Sequence, residues 1–405
     1  MMTDISWLDE FSEKLAHLDA AYLRRKRRVV NAEHGAYLNV DGEQLLAFCS
    51  NDYLGLARHP NLIAAACSTA QSSGVGASAS PLVTGHSVEN DDLERELAAF
   101  VDLPRALYFY AGYATNIGIV PALVSAGDSI FSDNLNHACL IDGARLSKAT
   151  IHRYTHQNLD ALDVAMSQCT SKRKLIMSDA VFSMDGDIAD VAALHRLCEK
   201  HDALLLLDDA HGFGVLGPSG QGTLAQIGFV GEQFKRRILY MATLSKAAGV
   251  AGAFVAGDGC LIEWLMQSTR SYIFATAAPS MLASALRASL KVMKEEQWRR
   301  DQLTHLIIRL KQGLDQTILK TSSWKLLPSL TPIQPLLIGS NEDALAVMEG
   351  LRKRGIWVPA IRPPTVTPGT ARLRIAMSAS HSEQDVDRLV SALCDVYEEL
   401  KTQVV

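Results

Sequence analysis

The segment Ala203-Leu-Leu-Leu-Leu-Asp-Asp-Ala-His-Gly212 places four consecutive leucines directly before two carboxylates and a histidine. A run that is apolar at every position is typical of a strand with both faces covered, as in a parallel sheet. Polar residues that follow such a strand lie at the carboxyl edge of the sheet, where ligands bind. The segment therefore predicts a buried parallel strand that ends at a functional site.

Similar short apolar runs occur on both sides of this segment, with helical periodicity between them, for example at 191–198. These runs are residues 106–110, 129–131, 174–177 and 238–241. Strands that alternate with helices predict an α/β fold with a mostly parallel sheet covered by helices.

The two ends of the chain have other patterns. The N-terminal part predicts an amphipathic helix over 4–29 and then a hairpin that turns at Asp41-Gly42. The C-terminal part predicts a helix at about 284–320, a strand at 333–338, a helix over 342–354 closed by Gly355, a strand at 372–377, and a capping box at 382–385 that opens the last helix. We therefore expect an N-terminal helix and hairpin segment (1–50), a large domain (51–285) and a smaller α+β domain (286–405).

The composition excludes several classes of protein. Of the 405 residues, 48% are hydrophobic and 20% are charged, so a large core can form. A net charge of -5 gives no reason to expect a nucleic acid partner, and no apolar run is long enough to cross a membrane. Seven scattered cysteines without a CxxC pair indicate reduced thiols and no metal site. Together with the lack of a signal-peptide pattern, this predicts a cytoplasmic protein.

A second strand carries a candidate nucleophile at its end. The run 238–243 is followed by Leu244, Ser245 and Lys246 and then by small residues. Most lysines are surface charges, but one at the edge of a parallel sheet can lose solvent and become a nucleophilic amine. Asp208 could be a simple turn or capping residue, or it could face the pyridinium nitrogen of pyridoxal 5′-phosphate (PLP). Lysine and aspartate at the ends of two strands together favour a PLP site.

Two further motifs fit the same site. Gly112 and Tyr113 follow the run 106–110 and open a helix, whose N–H groups could bind a phosphate, although a plain turn has the same pattern. His137 follows the next strand and could stack on an aromatic ring or be an ordinary buried polar residue. Thr243 and Ser245 offer hydroxyl groups to a phosphate.

The chain resembles the α-oxoamine synthases, a family of fold-type-I PLP-dependent transferases. The motifs that carry the resemblance occur in the order of the family and cover nearly the whole chain. They are Asn51-Asp-Tyr-Leu-Gly55, Gly112-Tyr113, Asn136-His137-Ala138, Val181-Phe-Ser-Met-Asp-Gly-Asp187, Asp208-Asp-Ala-His-Gly212 and Thr243-x-Ser-Lys246. The sequence departs from the family at Ala77–Pro81, at Asn90 where histidine is usual, and at Asp179-Ala180 where Glu-Gly or Glu-Ser is usual.

The resemblance implies roles for individual residues. Lys246 is similar to the lysine that binds PLP as a Schiff base, Asp208 to the partner of the ring nitrogen, His211 to the residue that bonds the ring oxygen, and His137 to the residue that stacks on the ring. Further cofactor contacts are implied at Gly112, Tyr113, Ser183, Thr243 and Thr276. Thr276 matches a position that reaches the phosphate of a neighbouring subunit, so the resemblance implies a homodimer with shared active sites.

The substrates implied are those of the family member in biotin biosynthesis. The tail from Ala360 to Arg374, with Arg362 before two prolines, is most similar to that member, as is the Leu23-Arg24-Arg25 segment. The resemblance implies condensation of L-alanine with a pimeloyl thioester, on coenzyme A or on an acyl-carrier protein, with loss of CO₂. It implies substrate contacts at Arg24, Asn51, Arg362 and Thr365.

Three alternatives remain from the sequence. A family member that joins glycine to acetyl-CoA lacks the Ile361-Arg362-Pro-Pro run, and a non-catalytic PLP-binding regulator would not need Lys246, Asp208 and His211. A Rossmann oxidoreductase is suggested only by Gly74-Val-Gly76, which lacks the third glycine and does not follow a strand.

Overall fold

The fold was analysed in a computed structural model, which describes residues 6–25, 27–32, 35–229 and 236–402. The chain forms two compact units. The large unit is residues 51–303, and the smaller unit combines residues 1–50 with 304–405. The sequence-based division also places a boundary after residue 50, whereas residues 286–303 group with the large unit in the structure.

The elements of the described residues are as follows, in chain order. The strands are β1 (Val30–Ala32), β2 (Tyr37–Val40), β3 (Glu43–Ala47), β4 (Arg105–Phe109), β5 (Ser129–Asp133), β6 (Thr150–Tyr154), β7 (Lys174–Asp179), β8 (Leu204–Asp208), β9 (Ile238–Thr243), β10 (Ala253–Gly257), β11 (Lys325–Leu326), β12 (Ile333–Gly339), β13 (Ile356–Trp357), β14 (Ala360–Ile361) and β15 (Ala371–Ala376). The helices are α1 (Trp7–Ala20), α2 (Pro60–Ser73), α3 (Val88–Phe100), α4 (Gly112–Leu123), α5 (Ala138–Ser147), α6 (Leu159–Ser167), α7 (Val191–His201), α8 (Thr223–Gln226), α9 (Gly259–Ser268), α10 (Arg270–Ile273), α11 (Ser280–Glu295), α12 (Trp298–Gln316), α13 (Asn341–Lys353) and α14 (Glu383–Thr402). None of these helices is both long and apolar enough to cross a membrane.

The large unit is built on a seven-stranded sheet in the order β4-β10-β9-β8-β7-β5-β6. Its neighbouring strands pair in parallel from β9 to β6, and β10 is antiparallel to both β4 and β9. The mostly parallel α/β sheet predicted from the sequence is confirmed, including all five predicted strands within a few residues at each end. Every residue of β5, β9 and β10 is buried, as expected for strands with both faces covered.

Two strands of this sheet, β6 and β10, were not predicted from the sequence. The strand β6 lies at the edge of the sheet, and its Thr-Ile-His-Arg-Tyr sequence is only partly buried. The strand β10 is short and bounded by glycines, and it lies in the sheet because the chain turns back after β9. An edge strand needs less hydrophobic sequence than a central strand, whereas β10 is an apolar, fully buried run between β4 and β9 that was not identified from the sequence.

Helices cover the faces of the large sheet and close its core. One cluster of buried side chains joins strand residues Leu107, Met177, Leu206 and Met241 to α4, α5 and α9, which contribute residues such as Ile119. In a sheet covered in this way, ligands bind at the carboxyl ends of the strands.

The smaller unit contains two four-stranded sheets, β1-β2-β3-β13 and β11-β12-β15-β14. The predicted hairpin is confirmed, with β2 and β3 antiparallel around Asp41 and Gly42. The predicted closure of α13 is also confirmed, since Gly355 follows it in a left-handed conformation with φ +73°. The last helix opens as predicted, because the Ser382 hydroxyl accepts from the Asp385 N–H and the Asp385 carboxylate accepts from the Ser382 N–H.

Two predicted helices differ from the structure. The helix predicted over 4–29 is wrong in its extent, because α1 ends at Ala20 and both Leu23 and Arg24 direct their N–H groups back to the Leu18 carbonyl. Residues 4, 5 and 26 of that prediction lie outside the described residues. Tyr22 takes a left-handed conformation with φ 56°, which ends the helix.

The helix predicted at about 284–320 is two helices, α11 and α12. The break falls at Glu296 and Gln297, where Glu296 leaves the helical conformation. The cause is tertiary: the Glu296 carboxylate contacts His59 at 3.2 Å, and the Arg299 guanidinium donates to the Leu54 carbonyl at 2.8 Å. Because these partners are distant in sequence, the local sequence pattern does not indicate that the helix is interrupted here.

A histidine between two carboxylates fastens the segment after β7 to the edge of the sheet. His156 Nδ1 lies 3.1 Å from the Asp133 carboxylate, and Nε2 lies 2.8 Å from Asp187. The ring also packs edge-on against Phe182. Burial opposes the charge of His156, but the bonds to Asp133 and Asp187 outweigh it and raise the pKa of His156 to about 10.

We expect His156→Gln to destabilise the protein more at pH 6 than at pH 10. The raised pKa means that the stabilisation is complete below the pKa of an unfolded histidine and is lost as the pH rises through about 10. Loss of a charged hydrogen bond should cost about 2 kcal/mol at pH 6. Thermal unfolding at both pH values measures the difference from the wild-type protein.

The matched control is His152→Gln on β6, a few residues before His156, whose ring stacks on Phe131 instead. A destabilisation by His156→Gln that is equal at pH 6 and pH 10 would contradict the conclusion that a charged His156 binds Asp133 and Asp187.

Candidate active site

Lys246 lies in the loop that joins β9 to the antiparallel β10. Residues 244–252 form this loop, which is closed by a bond from the Leu244 N–H to the Gly252 carbonyl. Gly249 has φ +72°, and a Cβ there would lie 2.6 Å from the Ala57 nitrogen, so the loop packs directly on the backbone near residue 57. The close packing holds Lys246 at the carboxyl edge of the sheet.

Asp208 is the last residue of β8, and its carboxylate is buried, with 3% of the residue exposed. Its Oδ2 accepts from Asn116 Nδ2 at 2.6 Å, and its Oδ1 accepts from the Ala210 N–H at 3.0 Å. The Cys139 thiol lies 3.9 Å from Oδ2. A buried carboxylate that accepts only from neutral donors is suited to a cationic partner in the cavity.

His211 connects Lys246 to the interior of the protein. The Lys246 Nζ atom lies 2.9 Å from His211 Nε2, and the Tyr53 hydroxyl lies 2.7 Å from His211 Nδ1. Tyr53 also donates to Asn51 Oδ1 at 3.1 Å. The side chains of Lys246, His211, Tyr53 and Asn51 are therefore joined in one chain of hydrogen bonds.

A second carboxylate lies beside Asp208. Asp179 ends β7 and pairs in register with Asp208 on β8. Burial and, after it, the charge of Asp208 raise the pKa of Asp179 well above its usual range. Asp179 Oδ2 accepts from the His137 N–H at 2.6 Å, which fixes the start of α5. The His137 side chain caps α5, and desolvation lowers its pKa.

The other end of the cavity offers donors for an anion. No side chain of the described residues caps the N-terminus of α4, which begins at Gly112. A Cβ at Gly112 would lie 3.3 Å from Thr243 Oγ1, so the helix start and the end of β9 are in close contact. Thr243 Oγ1 is 2.9 Å from Ser245 Oγ. Backbone N–H groups and two hydroxyls at one place suit a phosphate.

One cavity of about 190 Å³ in the large unit is lined by Lys246, Asp208, His211, Asp179 and Thr243, among other residues. The lining includes seven of the residues expected from the sequence, namely Gly112, Tyr113, His137, Asp208, His211, Thr243 and Lys246. The structure thus brings together the amine, the buried carboxylate, both histidines and the anion-binding end.

The remaining expected residues lie elsewhere. Ser183 is in the segment that follows β7, and Thr276 lines a small separate cavity with Asn90. Asn51 does not line the Lys246 cavity but reaches it through Tyr53. In the smaller unit, Arg24, Arg362 and Thr365 line a groove of about 740 Å³.

Several residues that line the cavity or bond to its lining were not predicted as site residues from the sequence. They are Tyr53, Asn116, Cys139, Asp179, Ala210 and Met241. Tyr53 lies inside the Asn51–Gly55 motif, Asn116 lies shortly after Gly112 and Tyr113, and Asp179 was noted only as a departure from the family. The position of these residues in or near the motifs was the one sign of a role in the site, because their local sequence is the same as that of ordinary structural polar residues.

The Aminotransferase class I and II family model matches residues 43–393. A protein named 8-amino-7-oxononanoate synthase 1 from Polaromonas sp. is 67% identical over 391 residues, which cover 96% of both chains. An 8-amino-7-oxononanoate synthase from Paracidovorax citrulli is 63% identical, covering 96% of this chain and 95% of its own. The chain belongs to the class I and II aminotransferase family and to its 8-amino-7-oxononanoate synthase branch. Enzymes of this branch are PLP-dependent acyltransferases, and so is this chain.

Solved structures agree with this family. Serine palmitoyltransferase from Sphingomonas wittichii superposes with a TM-score of 0.91 at 26% identity and covers 98% of this chain and 99% of its own. An 8-amino-7-oxononanoate synthase from Francisella tularensis has a TM-score of 0.75 at 28% identity and covers 89% of this chain and 99% of its own. Another serine palmitoyltransferase structure, at 24% identity, contains PLP as an internal aldimine. The fold-type-I assignment from the sequence is thereby confirmed.

The residues of the Lys246 cavity fit PLP, the cofactor of this family. Lys246 supplies an amine, and Asp208 supplies a buried negative charge for a ring cation. The uncapped start of α4, with Thr243 and Ser245, supplies donors for the phosphate. These three groups lie around one cavity, as the aldehyde, ring nitrogen and phosphate of a single molecule require.

We expect Gly112→Ala to weaken PLP binding about tenfold, as the loss of one good hydrogen bond would. The added methyl group would lie 3.3 Å from Thr243 Oγ1 and would obstruct the N–H groups of α4. Equilibrium titration of the chain with PLP, followed by absorbance, measures the effect.

Gly259→Ala is the matched control because Gly259 also opens a helix, α9, and has open space around its Cα atom. Equal PLP affinities for Gly112→Ala and the wild-type protein would show that the phosphate binds elsewhere.

Proposed function

We propose that the chain condenses L-alanine with a pimeloyl thioester, releasing CO₂ and the free thiol and forming 8-amino-7-oxononanoate. The observation that carries this proposal is the 67% identity, over 96% of both chains, to a protein of that name. The cavity that combines Lys246, His211 and Asp208 supplies the chemistry that such a reaction needs.

Bound PLP would supply an electron-withdrawing ring that stabilises negative charge on the α-carbon of the amino acid. Lys246 Nζ would bind the cofactor and then remove and return protons at that carbon. Asp208, held by Asn116 and Ala210, would keep a proton on the ring nitrogen. His211 would form a hydrogen bond with the ring oxygen, and His137 would cover one face of the ring.

The groove of the smaller unit supports binding of a carboxylate by the proposed substrate residues. The Arg362 guanidinium donates to the Tyr22 carbonyl, and its buried Nε has no hydrogen-bond partner among the described residues. Burial and, after it, the nearby Arg25 lower the pKa of Arg362. The Arg25 side chain lies 3.5 Å from Thr365 Oγ1, and Arg24 pairs with Asp19. Two neighbouring guanidinium groups favour an anion, such as the distal carboxylate of a pimeloyl chain.

The proposal includes a cytoplasmic homodimer. All seven cysteines are free thiols, which supports a reducing compartment. Val83, Val88 and Phe274 are large apolar side chains with 69–74% of their surface exposed, which supports a subunit interface on the large unit. Thr276, the residue proposed to reach a neighbouring phosphate, is also exposed.

We expect thiol release to require L-alanine, because the α-carbon of the amino acid displaces the thiol, and to favour pimeloyl-CoA, because the Arg362 groove suits a carboxylated acyl chain. Release is measured with each pair of L-alanine or glycine and pimeloyl-CoA or acetyl-CoA, using the PLP-loaded protein. Heptanoyl-CoA, which has the same chain length without the carboxylate, is the matched control substrate. Arg362→Gln should raise KM for pimeloyl-CoA about tenfold or more and leave KM for heptanoyl-CoA unchanged.

A preference for glycine with acetyl-CoA would retain the family and overturn the proposed substrates. Release with neither amino acid from either coenzyme A thioester would direct the test to pimeloyl-acyl-carrier protein as donor.

We expect Asp208→Asn to lower kcat about a thousandfold while PLP remains bound. The asparagine retains one accepting oxygen, for example for the Ala210 N–H, but has no charge to hold a proton on the ring nitrogen when negative charge develops. Steady-state kinetics and the absorbance of bound PLP measure the two effects separately.

Asn116→Ala is the matched comparison because it removes the 2.6 Å bond to Asp208 and leaves the charge. Its loss of kcat should be about tenfold. A similar loss of kcat in both variants would indicate that the hydrogen bonds of Asp208, and not its charge, support the reaction.

A further inference from the structure

The hydrogen-bond chain from Lys246 through His211 and Tyr53 to Asn51 contains one side chain with no role in the proposed reaction. Tyr53 is fully buried, and its hydroxyl lies between His211 Nδ1 and Asn51 Oδ1. A buried hydroxyl with one proton and two neighbours determines the direction of both bonds.

The directions follow from the donors available. The amide oxygen of Asn51 can only accept, so it takes the single hydroxyl proton of Tyr53. The Tyr53 oxygen must then accept from His211 Nδ1 across 2.7 Å. A neutral imidazole has only one N–H group, so His211 Nε2 presents a lone pair to Lys246 Nζ at 2.9 Å.

We propose that Tyr53 is a positioning residue that holds His211 as the proton acceptor for Lys246, so that the lysine becomes a nucleophile when PLP attaches. The inference rests on the proposed attachment of PLP to Lys246. A lysine ammonium has no lone pair, so it must lose a proton before it can attack an aldehyde.

The step balances in protons and electrons. One ammonium proton moves from Lys246 Nζ to His211 Nε2, and the nitrogen lone pair bonds to the aldehyde carbon of PLP. The two remaining amine hydrogens leave with the aldehyde oxygen as water, and a C=N bond forms. The proton on His211 then returns to the nitrogen of that bond, so His211 is neutral again and Tyr53 keeps its own proton throughout.

The surroundings favour a transient charge on His211. The ionisable groups that face the Lys246 amine across the cavity are Asp208 and Asp179 at the strand ends, His137 and Cys139 at α5, and Tyr113 on α4. Asp208 is a buried carboxylate on the wall of the same cavity, and a nearby negative group favours an imidazolium. Desolvation lowers the pKa of His137, the other imidazole on this wall.

The test is the rate at which the PLP-free, full-length chain binds added PLP through Lys246, followed by stopped-flow absorbance in the visible band from pH 6 to pH 11. Tyr53→Phe removes the acceptor of the His211 Nδ1 proton, so the tautomer without a lone pair at Nε2 becomes populated. We expect attachment to be about tenfold slower than in the wild-type protein at pH 7. The two rates should approach each other near about pH 10.5, where about half of an ordinary lysine amine is already neutral without help.

Tyr154→Phe is the matched control, because it also removes a buried tyrosine hydroxyl from the large unit, and its rate should follow the wild-type rate at every pH. Asn51→Ala provides a second variant, in case Tyr53→Phe does not fold. It removes the last acceptor of the chain, and its rate should fall about threefold at pH 7 and converge in the same way.

A slowing that is the same at pH 7 and pH 10.5, or no slowing, would overturn the proton-acceptor role, since a purely structural defect does not depend on the charge of the lysine. A wild-type protein without a visible band, or a band that persists in Lys246→Ala, would instead overturn the attachment site itself.

Discussion

The burial of the Asp208 carboxylate is the constraint on which the cofactor site depends. A carboxylate at the end of a covered strand loses its water and is stable only with donors from the protein or with a cationic partner. Asn116 and the Ala210 N–H supply those donors, which requires the start of α4 to lie against the end of β8. The same placement of α4 directs its uncapped N-terminus into the cavity. One requirement thus positions both the charge for a ring nitrogen and the donors for a phosphate.

The antiparallel return of β10 provides the second constraint. Because the chain reverses after β9, residues 244–252 form a short loop at the carboxyl edge and present Lys246 there. Gly249 lets this loop pack on the backbone near residue 57, a few residues after Tyr53. The amine, His211 and Tyr53 are therefore held in one packed region, so Lys246 lies next to the imidazole proposed to accept its proton.

Local sequence patterns were sufficient to predict most strands of the large sheet. They failed where contacts between distant segments determine the structure. The leucine run before Asp208 has no alternative to a covered strand, whereas β6 is an edge strand with polar residues. The break between α11 and α12 depends on His59 and Leu54, which are more than two hundred residues away in the chain. For the candidate site, the motifs named the residues at strand ends, but the contacts of Asn116 with Asp208 and of Tyr53 with His211 join segments that are distant in sequence.

The sequence by itself determined the α/β class, the strands that carry Asp208 and Lys246, and the family, because apolar runs and motif order are properties of consecutive residues. Only the tertiary structure decided that Asp179 pairs in register beside Asp208 and that Tyr53 bonds His211. It also decided that Arg24, Arg362 and Thr365 share a groove in the smaller unit. The physical reason is that register, helix placement and hydrogen-bond direction are set by packing between distant segments, whereas a sequence pattern reports only how each segment is buried.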